Sequence, residues 1–112
     1  MIVGASGENI YPEEIETVIN KMRFVLESLV VEKKGKLVAM IHLNMEEMEQ
    51  HFKNLKVEAQ QYIYDKSEEI LKEIQNKVNQ EVNKFSRIQK VILQPIPFEK
   101  TPTKKIKRFL YA

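Results

Sequence analysis

Two runs rich in branched apolar residues, Leu26 to Glu32 and Leu37 to Asn44, are separated only by Lys33-Lys34-Gly35-Lys36. A glycine in so short a link supplies the turn of an antiparallel β-hairpin, so the core must be built on a sheet. Every other segment then has to cover that sheet or extend it. Pro12 suits the first turn of a helix, and Glu13, Glu14 and Glu16 lie near its positive end. A helix from Pro12 to Met22 is predicted, with Ile15, Val18, Ile19 and Met22 as its buried stripe. Met45, Met48, Phe52 and Leu55 predict a short amphipathic helix. Ile63, Ile70, Leu71, Ile74, Val78, Val82 and Phe85 predict a long one ending near Lys84. Ile88 to Leu93 reads as a third strand, halted by Pro95 and Pro97, and Ile106, Phe109 and Leu110 as a closing helical turn. The expected class is α+β, a small sheet of about three strands with a β-hairpin, covered by helices. No internal repeat or low-complexity segment interrupts it.

The 112 residues suffice for one domain, not for a nucleotide pocket and a substrate tunnel as well, so a partner domain is expected. Met1-Ile2-Val3 is apolar and β-prone from the first residue, which leads us to expect further chain upstream. With no cysteine, disulfides, thiolate nucleophiles and cysteine zinc sites are excluded. No signal peptide and no run long enough to span a bilayer is read, so the expectation is a cytoplasmic protein. Lys and Arg (18) nearly balance Asp and Glu (16), and the net charge of +2 offers no broad field for a nucleic acid backbone. The basic groups nonetheless cluster: Lys100, Lys104, Lys105, Lys107 and Arg108 close the chain with no acid after Glu99.

Self-contained catalysis is hard to assemble, since no nucleophile elbow, no paired-histidine zinc motif and no phosphate loop is present. His42 lies in a strand and His51 on a polar helix face, both without metal-ligand companions, so structural or exposed roles are expected of both. Glu13, Glu14 and Glu16 are read as compensating a helix dipole, with general-base work as the weaker alternative. Two loops remain. Gly4 to Tyr11 combines two glycines with Asn9 at the mouth of a helix, and reads as a plain connection or as a ligand loop. Pro97 to Arg108 is stiffened by proline and threonine, and reads as a solvated basic tail or as a carrier of a phosphate-binding lysine.

Taken together the two loops resemble a known pattern. Gly7-Glu8-Asn9-Ile10-Tyr11-Pro12-Glu13-Glu14-Ile15-Glu16 is similar to the glycine-loop motif that opens the C-terminal domain of adenylate-forming enzymes. Lys100-Thr101-Pro102-Thr103-Lys104-Lys105-Ile106-Lys107-Arg108 is similar to the lysine motif that closes it. Glu27-Ser28 with Val30-Val31, then Leu37-Val38-Ala39, resembles the intervening hairpin, and Met45 to about Gln61 reads as a less typical insertion. The flavour is that of AMP-forming long-chain fatty acid-CoA ligases.

The resemblance implies a mobile lid that turns two faces in succession to a large N-terminal domain, with the hinge before Met1. It implies ATP, coenzyme A and Mg2+ as co-reactants, bound mainly by that N-terminal domain, and a fatty acid as substrate. By motif position Lys105 is the adenylation lysine, with Lys104 as second candidate. By the same resemblance Gly7 would line the coenzyme A channel and Asn9 would stand near its mouth. One position departs from the pattern, because Lys104 occupies the place where the family has glycine. Rival readings are a lid acting on another carboxylic acid, a binding module whose basic tail docks on nucleic acid or an anionic membrane, and a scaffold pairing through the long helix. The domain alone is expected to be inactive.

Overall fold

The computed structural model describes residues 2–4, 7–52 and 59–111. What the sequence leads one to expect of Met1, Ala5, Ser6 and Leu55, and of the Phe52 and Ile63 side chains, lies outside the described residues. The expected α+β class is observed. In chain order the elements are β1 (Ile2–Val3), β2 (Asn9–Ile10), α1 (Pro12–Ile19), β3 (Val25–Lys33), β4 (Lys36–Leu43), α2 (Met45–Phe52), α3 (Ala59–Glu81) and β5 (Lys90–Leu93), with 3-10 turns at Lys84–Ser86 and Arg108–Leu110.

The hairpin is tighter than its four-residue link suggests. Lys33 pairs directly with Lys36, leaving Lys34 and Gly35 as a two-residue turn, both with positive φ (53° and 76°). That twist matches the right-handed twist of the strands it joins. β5 then adds to β4 in parallel, giving the order β3-β4-β5. Parallel neighbours need a long crossover, and α2 with α3 provides it. Gln75 and Asn79 of α3 hold the start of β5 in place: Asn79 accepts from Ile88 N–H at 2.7 Å, and both amides donate to the Ile88 carbonyl at 2.9 and 3.0 Å.

Alternation along the strands splits the apolar residues between two faces. Val30, Leu37, Ala39, Ile41 and Leu43 join Ile15 and Ile19 of α1, Met48 of α2, and Leu71, Ile74 and Val78 of α3 in the main core. Leu29, Val31, Val38 and Met40 face the other way, onto Phe98, Ile106 and Tyr111 of the C-terminal segment. The sheet is therefore covered by helices on one face and by the basic-tail segment on the other.

Three boundaries differ from expectation for local reasons. Asn9–Ile10, read as loop, forms a strand paired with Ile2–Val3, too short a run to signal itself. α1 stops at Ile19, after which Lys21 and Met22 donate only three residues back, to Val18 and Ile19. Val18 and Met22 still pack on the core. α3 ends at Glu81, short of Lys84, because the Asn83 side chain accepts from Phe85 and Ser86 N–H and starts a separate turn. Phe85, placed by periodicity on the buried stripe, is exposed.

Candidate functional site

The lysine segment folds back on itself. Lys100 bridges to Ile106, Thr101 N–H donates to the Lys105 carbonyl, and Lys104 N–H donates to the Thr101 carbonyl, both at 2.8 Å. Pro102 and Thr103 form the bend, and Lys104 closes it in the left-handed region with φ 64°. Such a three-residue loop asks for a residue at positive φ in its last position, which is the physical reason for a glycine there. Lys104, at the position that departs from the pattern, adopts a conformation that glycine enters without strain. Placing a lysine in this region costs on the order of 1 kcal/mol, partly offset by the smaller entropy loss of a non-glycine residue. Lys104→Gly is expected to raise stability by up to about 1 kcal/mol, read as a higher midpoint in thermal unfolding. Thr101 Oγ1 also accepts from Lys105 N–H at 3.2 Å. The Lys105 side chain is exposed and makes no ion pair among the described residues.

The glycine segment uses the same backbone solution. Gly4 N–H donates to the Glu8 carbonyl at 2.8 Å, Gly7 N–H donates to the Gly4 carbonyl at 3.0 Å, and Gly7 closes the loop at φ 83°. A Cβ on Gly7 would meet nothing within 4 Å, so within this domain the glycine answers a backbone requirement, not a steric one. Asn9 is exposed and pairs across the small hairpin with Val3.

The two loops are rooted on opposite faces of the sheet. Ile10, three residues after Gly7, belongs to the helix-side core, whereas Ile106, beside Lys105, packs in the cluster on the other side. Between them runs a charged clasp around the free edge of β3. Glu16 on α1 accepts from Val30 N–H at 2.7 Å through one carboxylate oxygen and from the Arg108 guanidinium at 2.5 Å through the other. Glu13 and Glu14 lie in the first turn, Glu13 also within 3.8 Å of Arg108, whereas Glu16 is only 8% exposed and fastens the tail to the helix, a role the dipole reading does not cover. Burial raises the Glu16 carboxyl above its ordinary value of 4.5, and the bonds from Arg108 and Val30 pull it back only in part. A raised folded value means that the fold holds this proton more tightly than the unfolded chain does. The stability Glu16 contributes is thus full below 4.5 and lost as pH rises through the higher folded value. Urea unfolding between about pH 4 and about pH 8 should show this decline in the native chain, with Glu16→Gln lacking it.

A second carboxylate holds the start of the lysine loop. Glu27, at the bulge in β3, forms an ion pair with Lys100 and accepts from Phe98 N–H at 3.2 Å. Phe98 in turn meets the Tyr111 ring edge-on at 5.0 Å, and the Tyr111 hydroxyl accepts from Glu99 N–H. Neither Glu27 nor Arg108 stands out in the sequence as more than a surface charge. The signal that could have found them is a glutamate within the apolar start of the hairpin, against a tail with no acid after Glu99.

The histidines take structural and surface positions. His42 donates through Nδ1 to the Gln94 carbonyl at 2.9 Å, and exposed His51 meets Arg23 at 2.8 Å. Among the described residues no group of three or more acidic, histidine or cysteine side chains could hold a metal ion, and no helix is long and apolar enough to cross a membrane. A cleft of about 630 Å3 opens beside the glycine hairpin, floored by Ile10, Leu37 and Ile88, with exposed Lys84 and Arg87 at its margin.

No curated protein sequence matches the chain. Solved structures do. The fatty acyl CoA synthetase of Mycobacterium tuberculosis matches 98% of this chain with 18% of its own, at 24% identity and a TM-score of 0.65. A benzoate CoA ligase from Burkholderia xenovorans matches 92% with 18% of its own, at 21% identity and a TM-score of 0.62. The adenylation domain of a carboxylate reductase from Mycobacterium chelonae matches 97% with 17% of its own, at 16% identity and a TM-score of 0.72. The chain thus spans less than a fifth of each of these structures, and the likeness establishes the fold. The family model for the AMP-binding enzyme C-terminal domain matches residues 1–110, and with the glycine hairpin, the lysine loop and the sheet between them all in place, the chain belongs to that family.

Proposed function

We propose that this domain is the mobile lid of a long-chain fatty acid-CoA ligase, which joins a fatty acid to coenzyme A at the expense of ATP, releasing AMP and diphosphate. The observation that carries the reading is the rooting of the Lys105 and Gly7 loops on opposite faces of one sheet. Two loops so placed serve one active site only in turn, by rotation of the lid against an N-terminal domain. In the first step the fatty acid carboxylate, already ionised at neutral pH, attacks the α-phosphate of ATP, and negative charge gathers around phosphorus. That step needs a cation and no base. Lys105, a compact ammonium on a flexible stem with no ion pair among the described residues, is free to supply it.

In the second step the opposite face turns inward, and the thiol of coenzyme A displaces AMP from the acyl-adenylate. The Gly7 hairpin would border the pantetheine arm, with Asn9 near the channel mouth. The neighbouring cleft supports this through its apolar floor, which suits the arm, while its charged lining is mixed, with Glu8 and Glu32 beside Lys84 and Arg87. Magnesium would accompany ATP on its phosphates, and no step here depends on a metal ligand from this domain. A second reading keeps the lid and changes the acid, and the comparable likeness to a benzoate CoA ligase favours weighing it. The test is acyl-CoA formation by the full-length enzyme with ATP and coenzyme A, comparing palmitate with benzoate. A large preference for palmitate supports the first reading, the reverse supports the second, and turnover of neither acid removes the long-chain reading and leaves the second with a different acid.

A further inference from the structure

The hydrogen bonds inside the lysine loop set its shape, but they do not decide where that shape sits on the sheet. Two groups do. Ile106, immediately after Lys105, is packed among Leu29, Val31, Val38 and Met40. On the other strand of the loop, Glu27 holds both the Lys100 ammonium and the Phe98 N–H, and Lys100 lies directly across from Ile106. The Glu27 and Lys100 side chains are 20% and 31% exposed, so this carboxylate is half-withdrawn from solvent and binds two donors at once. A solvent-screened pair on an open surface would contribute almost nothing. Here the pair fixes one end of a short loop that carries, exposed beside Ile106, the lysine the adenylation step needs.

We propose that Glu27 is a positioning residue for Lys105, keeping the lysine loop in register for adenylation through its ion pair with Lys100. The proposal rests on the assignment of Lys105 given above. Displacement of a transition-state contact by about 1 Å can cost up to a hundredfold in rate, whereas release of one anchor among several displaces it less, so about a tenfold loss is expected. Because Glu27 acts through the lysine loop, the loss should fall on one half-reaction alone, a split that general destabilisation would not produce.

The experiment uses the full-length enzyme with Glu27→Gln, Lys100→Met, the double variant, and Lys105→Ala as reference. Glutamine has nearly the same size and keeps an acceptor for Phe98 N–H, so the charge pair alone is removed. Acyl-adenylate formation from palmitate and ATP should fall about tenfold in either single variant and no further in the double. Conversion of supplied acyl-adenylate by coenzyme A should stay within about twofold of the native rate. Equal losses in both half-reactions, or full adenylation in Glu27→Gln while Lys105→Ala is crippled, would overturn the proposal and leave the lid reading standing. Full adenylation in Lys105→Ala would instead remove the reading on which the proposal depends.

Discussion

Lys105→Ala in the full-length enzyme is expected to slow acyl-adenylate formation by a hundredfold or more while leaving conversion of supplied acyl-adenylate nearly unchanged. The magnitude follows from the job assigned to the ammonium. A preorganised donor aimed at developing charge is worth on the order of 3 kcal/mol in a water-excluded site, and each 1.4 kcal/mol is tenfold in rate. The selectivity follows from topology, since Lys105 hangs from the face of the sheet opposite the glycine hairpin and, on the proposed rotation, would leave the site when the lid turns. Folding is not at risk, because the side chain is exposed and makes no hydrogen bond or ion pair among the described residues. The same variant at the neighbouring position separates the two lysines. If Lys104→Ala produced the hundredfold loss and Lys105→Ala did not, the left-handed residue would be the one that reaches the nucleotide.

The strands and helices that carry the core were legible from periodicity, because β-branched runs and the spacing of Ile15, Ile19, Leu71, Ile74 and Val78 reflect burial directly. The lysine and glycine loops were legible as motifs. Their shared backbone geometry was not, since it depends on one residue in each loop taking positive φ, and lysine at the second position conceals the requirement. The clasp from Glu16 to Arg108 was equally hidden. A glutamate near a helix start has an adequate explanation in the dipole, and its partner is ninety-two positions away in sequence. Contacts of that kind arise from the way the tail wraps the edge of β3, which no local pattern encodes. The parallel addition of β5 was likewise outside local reach, as it is imposed by the α2–α3 crossover.

Substitutions at Gly7 are expected to do the reverse of Lys105→Ala, and their pattern separates two reasons for the glycine. The residue sits at φ 83°, where a β-carbon is disfavoured, yet a Cβ there would meet nothing within 4 Å in this domain. If only the backbone mattered, Gly7→Asn would be tolerated, because asparagine enters the left-handed region more readily than other residues with a side chain. If the hairpin borders a narrow passage formed with the N-terminal domain, Gly7→Asn and Gly7→Leu should both slow transfer to coenzyme A, leucine by about a hundredfold and asparagine by less. Adenylation should stay near the native rate in both, since the hairpin is then turned away from the nucleotide. The measurement is the rate of acyl-CoA formation from supplied acyl-adenylate, with palmitate adenylation assayed beside it on the same preparation. Loss of transfer in the leucine variant with full activity in the asparagine variant would mean that conformation alone is required, and the channel would have to be sought along the neighbouring cleft floored by Ile10, Leu37 and Ile88.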